Sequence, residues 1–512
     1  MTNTPSRSAK TAGAIGRAAV VLLLMFVALG SWAVSSPAGS SPDDDFHLAS
    51  IWCGLGDREG LCESTSTPGE RLVPQLTRDA PVCYANEPAI SASCQEEIAE
   101  PTALVPTSRL NSEGLYPPVY YSVMGVFAST NIEASVVAIR LVNIAIFLGI
   151  TALLYFLLPA RRRSTLAWSW SIAIVPLGMF LIASNNPSAW AIISGGTVWL
   201  ALVGYFEAHG RRQLALVVVA LIAVCLGAGS RADSALYTVL GAFVAVALTF
   251  RKERRYALLA LLPIASIVIA VTLFLTSNQA ASASGGLGTG TQAASTDIGY
   301  LLTINLLDVP LLWAAVFGSW QLGWFDTPMP GVVSVGALAA FCVVAFTGLA
   351  HTSWRKLLVL GVIVSALVAI PVYILVKSNT RVGGEVQPRY ILPLIVIFGG
   401  VALFHLGQRT PQMGRVQTLL VEITLIVANS VALHENIRRY ITGVDMGGWN
   451  LDTSVEWWWP GLPSPMAIWV IGSVAFAVAL HLLFVFHSEA IFRVTPWGRL
   501  RRRAQALAVE TT

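Results

Sequence analysis

Long apolar segments recur along the whole chain, and they constrain its fold more than any other feature. Of the 512 residues, 55% are hydrophobic and only 12% are charged, and the mean hydropathy is +0.67. A soluble domain carries about 25% charged residues. A helix that crosses a bilayer needs about 20 mainly apolar residues. The sequence therefore predicts an all-α polytopic membrane protein.

Twelve windows are long and apolar enough, so we predict about 12 transmembrane helices. They lie at 15–34, 134–158, 167–184, 187–205, 213–229, 234–250, 256–275, 331–350, 357–376, 390–407, 416–434 and 465–487. The uncharged stretch 164–206 is too long for one span. Asn185-Asn186-Pro187 interrupts it, and this turn chemistry predicts a hairpin of two helices.

The segment 301–324 is also apolar, but Asn305, Asp308 and Pro310 interrupt it. If it crossed the membrane, every later loop would change sides, and the C-terminal arginines would lie outside. Membrane proteins keep basic loops on the cytoplasmic side. We therefore predict a re-entrant or interfacial helix here.

Basic residues concentrate in alternate loops, which sets the orientation. With the N-terminus inside, the following basic runs all lie in the cytoplasm: Arg161-Arg162-Arg163, Arg211-Arg212, Arg251 to Arg255 and Arg501-Arg502-Arg503. We predict a multi-pass plasma-membrane protein with cytoplasmic N- and C-termini, in contact with membrane lipid. The net charge of +4 follows from this bias, so no nucleic-acid partner is predicted.

The first apolar segment has two readings. A basic start and the small residues at 35–39 also fit a cleaved signal peptide. The apolar run is about 20 residues, whereas a signal core has about 7–15. We predict an uncleaved anchor.

These features divide the chain into six regions. They are 1–34, the cytoplasmic N-terminus and first transmembrane helix; 35–133, an extracytoplasmic loop with an acidic motif and an interfacial helix; 134–275, transmembrane helices 2–7; 276–330, an extracytoplasmic flexible and re-entrant region with a low-complexity tract at 282–295; 331–487, transmembrane helices 8–12 with a Trp-rich outer loop at 435–463; and 488–512, a cytoplasmic basic tail.

Four of the six cysteines lie in the first outer loop: Cys53, Cys62, Cys83 and Cys94. In an oxidising compartment four cysteines indicate two disulfides, with three pairings to choose from. Sequential pairing closes the shortest loops. The spacing has no CxxC pair, so a zinc cluster is not predicted. We expect a first loop stapled by disulfides.

The same loop begins with an acidic motif, Ser41-Pro42-Asp43-Asp44-Asp45-Phe46-His47. Ser41 at the N-cap, Pro42 at the first helical position and Asp44 at the third would start a helix. This structural interpretation explains the acids without any chemistry.

A functional interpretation uses the same helix. Asp43, Asp44 and His47 would share one face. A carboxylate at the membrane surface can act as general base toward a hydroxyl, and we assign this role to Asp43 with Asp44 second. Asp44 and Asp45 could instead hold a divalent cation such as Mg, Mn or Ca against a phosphate. No other cofactor is predicted.

Basic side chains near the predicted outer face suggest a phosphate site. Arg389 and Tyr390 follow Pro388 at a helix start, where the helix N-terminus and an arginine together favour a phosphate. The alternative is an interfacial arginine that snorkels to headgroups. Arg231 is a second phosphate candidate at another helix end. His47 would orient an aspartate or bind the acceptor.

Two further residues have a structural and a binding interpretation. Asp326 is a turn residue or an acceptor contact. Trp458, within Trp457-Trp458-Trp459, belongs to an aromatic belt or to a platform that stacks on a sugar. Arg140 and Glu422 lie within spans, where charges are usually paired, but the sequence does not identify their partners.

These motifs together resemble the domain-of-unknown-function family 2142 (DUF2142), multi-spanning membrane proteins common in actinobacteria. The resembling segments are Pro42 to His47, Asn186-Pro187, Gly323 to Pro328 and Gln387 to Pro393. The family pattern has Pro-Asp-Glu-Pro and then His. In this chain Asp44 stands in place of the Glu, and Asp45 in place of the Pro.

The resemblance implies a GT-C-like fold, since the family is similar to glycosyltransferases of that class. It further implies a polyprenyl-phosphate sugar as donor and a cell-envelope glycan or lipid as acceptor. With a phosphate leaving group and one base, transfer would proceed by single displacement with inversion. Two other functions remain open: a transporter or flippase of an envelope lipid or polysaccharide, and a non-catalytic envelope scaffold.

Overall fold

The computed structural model describes residues 7–98, 100–279, 297–350, 352–405 and 413–492. The whole low-complexity tract at 282–295, and the part of the basic tail beyond 492, lie outside these ranges.

Helices form most of the described chain. In order they are α1 (Arg7–Ala33), α2 (Asp44–Trp52), α3 (Gln75–Asp79), α4 (Val119–Met124), α5 (Ile132–Leu157), α6 (Ala160–Ala173), α7 (Leu177–Ile182), α8 (Ser188–Glu207), α9 (Arg211–Ala228), α10 (Ala232–Thr249), α11 (Arg254–Leu259), α12 (Leu261–Leu275), α13 (Ile298–Ala314), α14 (Gly331–Leu349), α15 (Trp354–Lys377), α16 (Pro388–Ala402), α17 (Arg415–Ile441) and α18 (Pro465–Phe492).

The class predicted from sequence, an all-α polytopic membrane protein, is confirmed. In the described residues, 11 helical segments are long and apolar enough to cross a membrane. They match the predicted windows except 167–184 and 390–407, and they add Ile298–Ser319. The window 167–184 is divided between α6 and α7 around Pro176, because proline removes a backbone donor and disfavours helix before it. The window 390–407 corresponds to α16, which has only 15 residues of helix.

The segment predicted to be re-entrant forms α13. This helix runs along α15, and it starts beside the C-terminal end of α15. The Asn305 side-chain amide donates to the Thr380 carbonyl at 3.0 Å. Eight residues later, the Trp313 indole donates to the Leu367 carbonyl at 3.1 Å, deeper along α15. The helix thus enters the bundle from the end at which α15 finishes.

A turn after α13 then brings the chain back. Gly318 has φ of 96°, a conformation that costs a residue without a Cβ little. Beyond it, the Trp324 indole donates to the Gly39 carbonyl at 2.8 Å, next to the acidic motif. The return of the chain to the acidic motif is what a re-entrant segment requires. That the segment does not cross the bilayer stays a prediction.

The first loop folds into a small disulfide-bonded unit. Its disulfides join Cys53 to Cys62 and Cys83 to Cys94, which confirms the sequential pairing. An antiparallel sheet follows the order β1 (Glu63–Ser64), β2 (Arg71–Pro74) and β3 (Leu104–Thr107), with Leu72 opposite Glu63 and Pro106. This unit packs over the end of the bundle that carries the acidic motif.

The two charges predicted within spans have partners. Arg140 is buried, and its guanidinium donates to the Asn185 side chain at 2.8 Å and to the Ala33, Ser36 and Pro37 carbonyls. It therefore holds the connection after α1 against α5. Glu422 accepts from His481 at 2.8 Å across α17 and α18.

Candidate functional site

Asp43 lies at the start of α2 with its carboxylate between two arginines. It is the N-cap residue, in the left-handed conformation with φ of 61°. One carboxylate oxygen pairs with the Arg389 guanidinium, and the other lies 3.4 Å from Nη2 of Arg109. The Arg389 side chain is 2% exposed, whereas that of Asp43 is 31% exposed. The carboxylate is therefore the open side of an otherwise buried ion pair.

The segment before α2 is fixed by side chains from two other parts of the chain. The Pro42 carbonyl accepts hydrogen bonds of 2.8 Å from Arg389 Nη1 and from the Asn186 side-chain amide. Asn186 belongs to the turn before α8, and Arg389 to the first turn of α16. Three of the motifs that are separated in sequence thus meet at one point.

The arginines hold Asp43 ionised. Burial alone would raise the pKa of its carboxyl, but the charge of Arg389, its hydrogen bond to the carboxylate and the charge of Arg109 outweigh burial and lower the pKa to about 2. A carboxylate with so low a pKa is a weak base. As long as Arg389 is paired with it, Asp43 is poorly suited to remove a proton.

Asp44 faces the protein interior instead of the site. It is fully buried, and its carboxylate accepts hydrogen bonds from the Ser41 backbone N–H at 3.1 Å and from the Ser41 hydroxyl. The capping contact predicted between these residues is present, although the helix begins at Asp44 and not at Pro42. Burial raises the pKa of Asp44 to about 6. This placement argues for a structural role and against the predicted second base.

We predict that Asp44→Asn changes the pH dependence of stability. The raised pKa means that Asp44 favours the folded state below its ordinary pKa of 3.8, and that this contribution is lost as the pH rises through about 6. Asparagine keeps an oxygen for Ser41 but does not titrate. The Tm of the variant, measured from about pH 4 to pH 7, should therefore rise relative to that of the wild type. If the difference in Tm between variant and wild type stays constant across this pH range, the pKa of Asp44 is not raised in the folded protein.

The predicted cation ligands do not converge. Asp45 pairs with Arg109, whose Nη2 donates to it at 3.1 Å, and Asp44 is held by Ser41. In the ranges that the structure describes, no group of three or more His, Cys, Asp or Glu side chains is arranged to hold a metal ion. Asp44 and Asp45 therefore do not fit a shared cation, and we derive no chemical step through one.

His47 lies beside Asp43 as a neutral imidazole. It is fully buried, and its Nδ1 shares a hydrogen bond of 2.9 Å with the Tyr121 hydroxyl of α4. Burial lowers its pKa well below 6.5. The other nitrogen, Nε2, is buried without a hydrogen-bond partner. The predicted interfacial helix, α4, thus buries Tyr121 to orient this ring.

Arg231 completes the cluster from the start of α10. It is buried, and it pairs with Asp233 through contacts of 2.9 and 3.0 Å. Its guanidinium lies 4.6 Å from the centre of the Tyr390 ring, and that of Arg389 lies 5.2 Å from the same ring. Tyr390 therefore stabilises two buried cations through its ring.

Three buried nitrogens of this cluster lack hydrogen-bond partners: His47 Nε2, Arg231 Nη1 and Arg389 Nε. Buried polar groups in proteins are nearly always satisfied, so such atoms call for an explanation. Guanidinium groups are donors only and match the oxygens of a phosphate. The cluster is thus suited to bind an oxyanion beside the carboxylate of Asp43.

Little free space lies beside Arg389 on the side away from Asp43's exposed carboxylate. A cavity of about 20 Å³ borders Arg389, with Leu177, Phe180, Leu181 and Phe325 among its walls. Such a space holds little more than a water molecule. A larger ligand must displace the apolar side chains of this wall, which include Phe325 on the turn after α13.

Two predicted site residues lie elsewhere. Asp326 is 1% exposed and accepts from Arg439 at 2.9 Å, so it is not available to an acceptor. The Trp458 indole donates to the Pro463 carbonyl at 2.8 Å, and its ring packs against Trp457. The burial of Asp326 corrects its predicted contact with the acceptor, whereas the sugar-stacking role of Trp458 stays a prediction.

Sequence reasoning missed Arg109, Tyr121 and Asn186 as parts of the site. Arg109 is 66 residues from Asp43 and Asn186 is 144 residues from Pro42. The only signal was Asn186-Pro187 itself, which the sequence marked as a turn and not as a contact of the acidic motif.

Together the fold and the cluster define a polytopic helical membrane protein with a buried arginine, aspartate and histidine site under a disulfide-bonded loop. A family model described as a predicted membrane protein, DUF2142, matches residues 24–398. The chain belongs to this family. Neither the curated proteins nor the solved structures gave a match.

Proposed function

We propose that this protein is an integral-membrane glycosyltransferase of GT-C type. It would move a sugar from a polyprenyl-phosphate donor to a cell-envelope glycan or lipid acceptor on the extracytoplasmic face, with both termini in the cytoplasm. The observation that carries this proposal is the pairing of a partly exposed carboxylate, Asp43, with buried guanidiniums that have unsatisfied nitrogens.

The reaction needs one base and one site for an anionic leaving group. The acceptor oxygen attacks the anomeric carbon, the bond from that carbon to the phosphate oxygen breaks, and polyprenyl phosphate leaves with the electron pair. Asp43 takes the proton of the acceptor hydroxyl. Because the phosphate leaves as an anion, no acid is needed, and the anomeric configuration inverts.

The ion pair between Asp43 and Arg389 suggests how the donor prepares its own base. A donor phosphate would compete with Asp43 for Arg389. Once this arginine turns to the phosphate, the largest influence that lowers the pKa of Asp43 is removed. The pKa of the carboxyl then rises, and Asp43 becomes a better base only when the donor is bound.

A donor panel tests the proposal. Purified protein is incubated with radiolabelled polyprenyl-phosphate sugars and a membrane-lipid or glycan extract as acceptor. We expect release of polyprenyl phosphate from at least one donor, with inverted configuration in the product. Release from none of the donors in the presence of any acceptor contradicts the proposal.

A substitution of Arg231 should weaken binding of the donor. Arg231→Gln removes one donor to the phosphate, and a hydrogen bond to a charged group contributes about 1.5–3 kcal/mol. We expect the donor KM to rise about 10- to 100-fold with a smaller change in kcat. Arg109→Gln is the control, since it also removes a positive charge near Asp43 but lies on the exposed side. Equal changes in KM for both variants contradict the assignment.

A further inference from the structure

A polar cavity lies at the opposite end of the bundle from Asp43. Its volume is about 270 Å³. Arg231 precedes α10 at the site end, and the helix ends at Thr249, which lines the cavity together with the following Phe250. Since an α-helix rises about 1.5 Å per residue, α10 separates the two places by roughly 27 Å.

Arginines from four parts of the chain surround this cavity. They are Arg161 and Arg162 of α6, Arg251 after α10, Arg255 of α11 and Arg355 of α15. The carboxylates at the cavity are Glu207 and Glu253. Glu207 is already used, since Arg162 lies 2.6 Å from it and Arg161 lies 3.2 Å from it.

The remaining arginines have few anionic partners. Arg355 donates to the Phe250 carbonyl at 2.7 Å, and Arg255 donates to Nδ1 of His209 at 2.7 Å. A guanidinium only donates, so Nδ1 of His209 accepts and its Nε2 carries the proton. Within the ranges that the structure describes, Arg251 forms no ion pair. The rim thus offers an excess of donors and positive charge.

One wall of the cavity is formed by two stacked aromatic rings. Phe206 and Tyr256 stack with their ring centres 4.7 Å apart and an interplanar angle of 14°. A cavity that combines this wall with a rim of arginines suits a ligand with a phosphate and a small organic part. Its volume is just below the usual range for sites of drug-sized molecules, about 300–1,000 Å³.

We propose that this cavity binds a phosphate-bearing anion. Basic pockets between membrane helices recognise anionic lipid headgroups, and the same arginines would accept a soluble phosphate. The source is therefore an anionic phospholipid or a free phosphate compound. This site is independent of the transfer site, and its test does not require any sugar transfer.

The test compares two double variants of the full chain. Arg251→Gln with Arg255→Gln removes two arginines that line the cavity. Arg211→Gln with Arg254→Gln is the matched control, because it removes the same charge from exposed residues near this end that do not line the cavity. Native mass spectrometry counts bound phosphatidylglycerol against phosphatidylcholine, and the Tm is measured with and without inorganic pyrophosphate.

If the natural ligand is a lipid, we expect the wild type to retain phosphatidylglycerol in native mass spectrometry. If it is a soluble phosphate compound, we expect pyrophosphate to raise the Tm of the wild type. The cavity variant should lose at least about five-fold in affinity, as expected when guanidinium–phosphate contacts are removed, while the control keeps it. The proposal is overturned if both variants lose affinity equally. It is also overturned if the wild type neither prefers phosphatidylglycerol to phosphatidylcholine nor gains Tm with pyrophosphate. The Tm in phosphatidylcholine alone verifies that both variants are folded.

Discussion

Asp43→Asn should abolish most sugar transfer, with kcat about 100- to 10,000-fold below that of the wild type. The reason is that an amide cannot take the proton of the acceptor hydroxyl, and loss of a general base has this range of effects. Binding of polyprenyl phosphate should survive or improve, because Arg389 no longer pairs with a carboxylate in the free protein. Steady-state kinetics with an active donor measures the loss of kcat, and a separate binding assay measures the affinity for polyprenyl phosphate.

Asp45→Asn is the matched control for this substitution. It removes the same charge two residues away, from a pair with the half-exposed Arg109. Exposed ion pairs contribute about 0–1 kcal/mol, so this variant should remain active and stable. If the Asp43 variant stays active with its Tm unchanged, Asp43 is not the base. The Tm also shows whether removing the partner of buried Arg389 harms folding.

Asp326→Ala should cause the largest loss of stability among the substitutions considered, about 3–5 kcal/mol. The side chains of Asp326 and Arg439 are 1% and 0% exposed, and removing one partner leaves a buried charge unpaired. Arg439 also donates to the Tyr84 carbonyl at 2.7 Å and to the Glu87 carbonyl at 3.2 Å. The variant should therefore loosen the first loop over the bundle as well as lower the Tm.

Asp57→Ala provides the comparison for this prediction. Its carboxylate pairs with Arg71 on the same loop, but its side chain is 60% exposed. We expect a loss of no more than about 1 kcal/mol. The double variant of Asp326 and Arg439 should lose less than the sum of the single losses, because each single substitution strands the other charge. Additive losses contradict the pairing as the cause.

Much of the fold could be predicted from the sequence because lipid imposes a simple rule on apolar length. The disulfides were also predictable, since Cys53 and Cys83 each have a near neighbour in the chain. The window 167–184 was not, because local hydropathy does not register how Pro176 divides a helix. The window at α16 was placed correctly but overestimated in length.

The site could be predicted only in part. Asp43, His47, Arg231 and Arg389 were identified from charge near helix ends, and the structure brings them together. The burial of Asp44 was not predictable, because the direction in which a side chain leaves a helix start depends on tertiary contacts such as those of Ser41. The roles of Asp326 and Trp458 depend likewise on partners remote in sequence or on loop geometry.

A cryo-EM structure of the wild-type protein with bound polyprenyl phosphate tests the central claim most directly. We predict that the phosphate contacts Arg231 Nη1 and Arg389, that His47 Nε2 faces it, and that the Arg389 guanidinium has turned away from Asp43. A phosphate bound at another place, with the pair of Asp43 and Arg389 intact, contradicts the account.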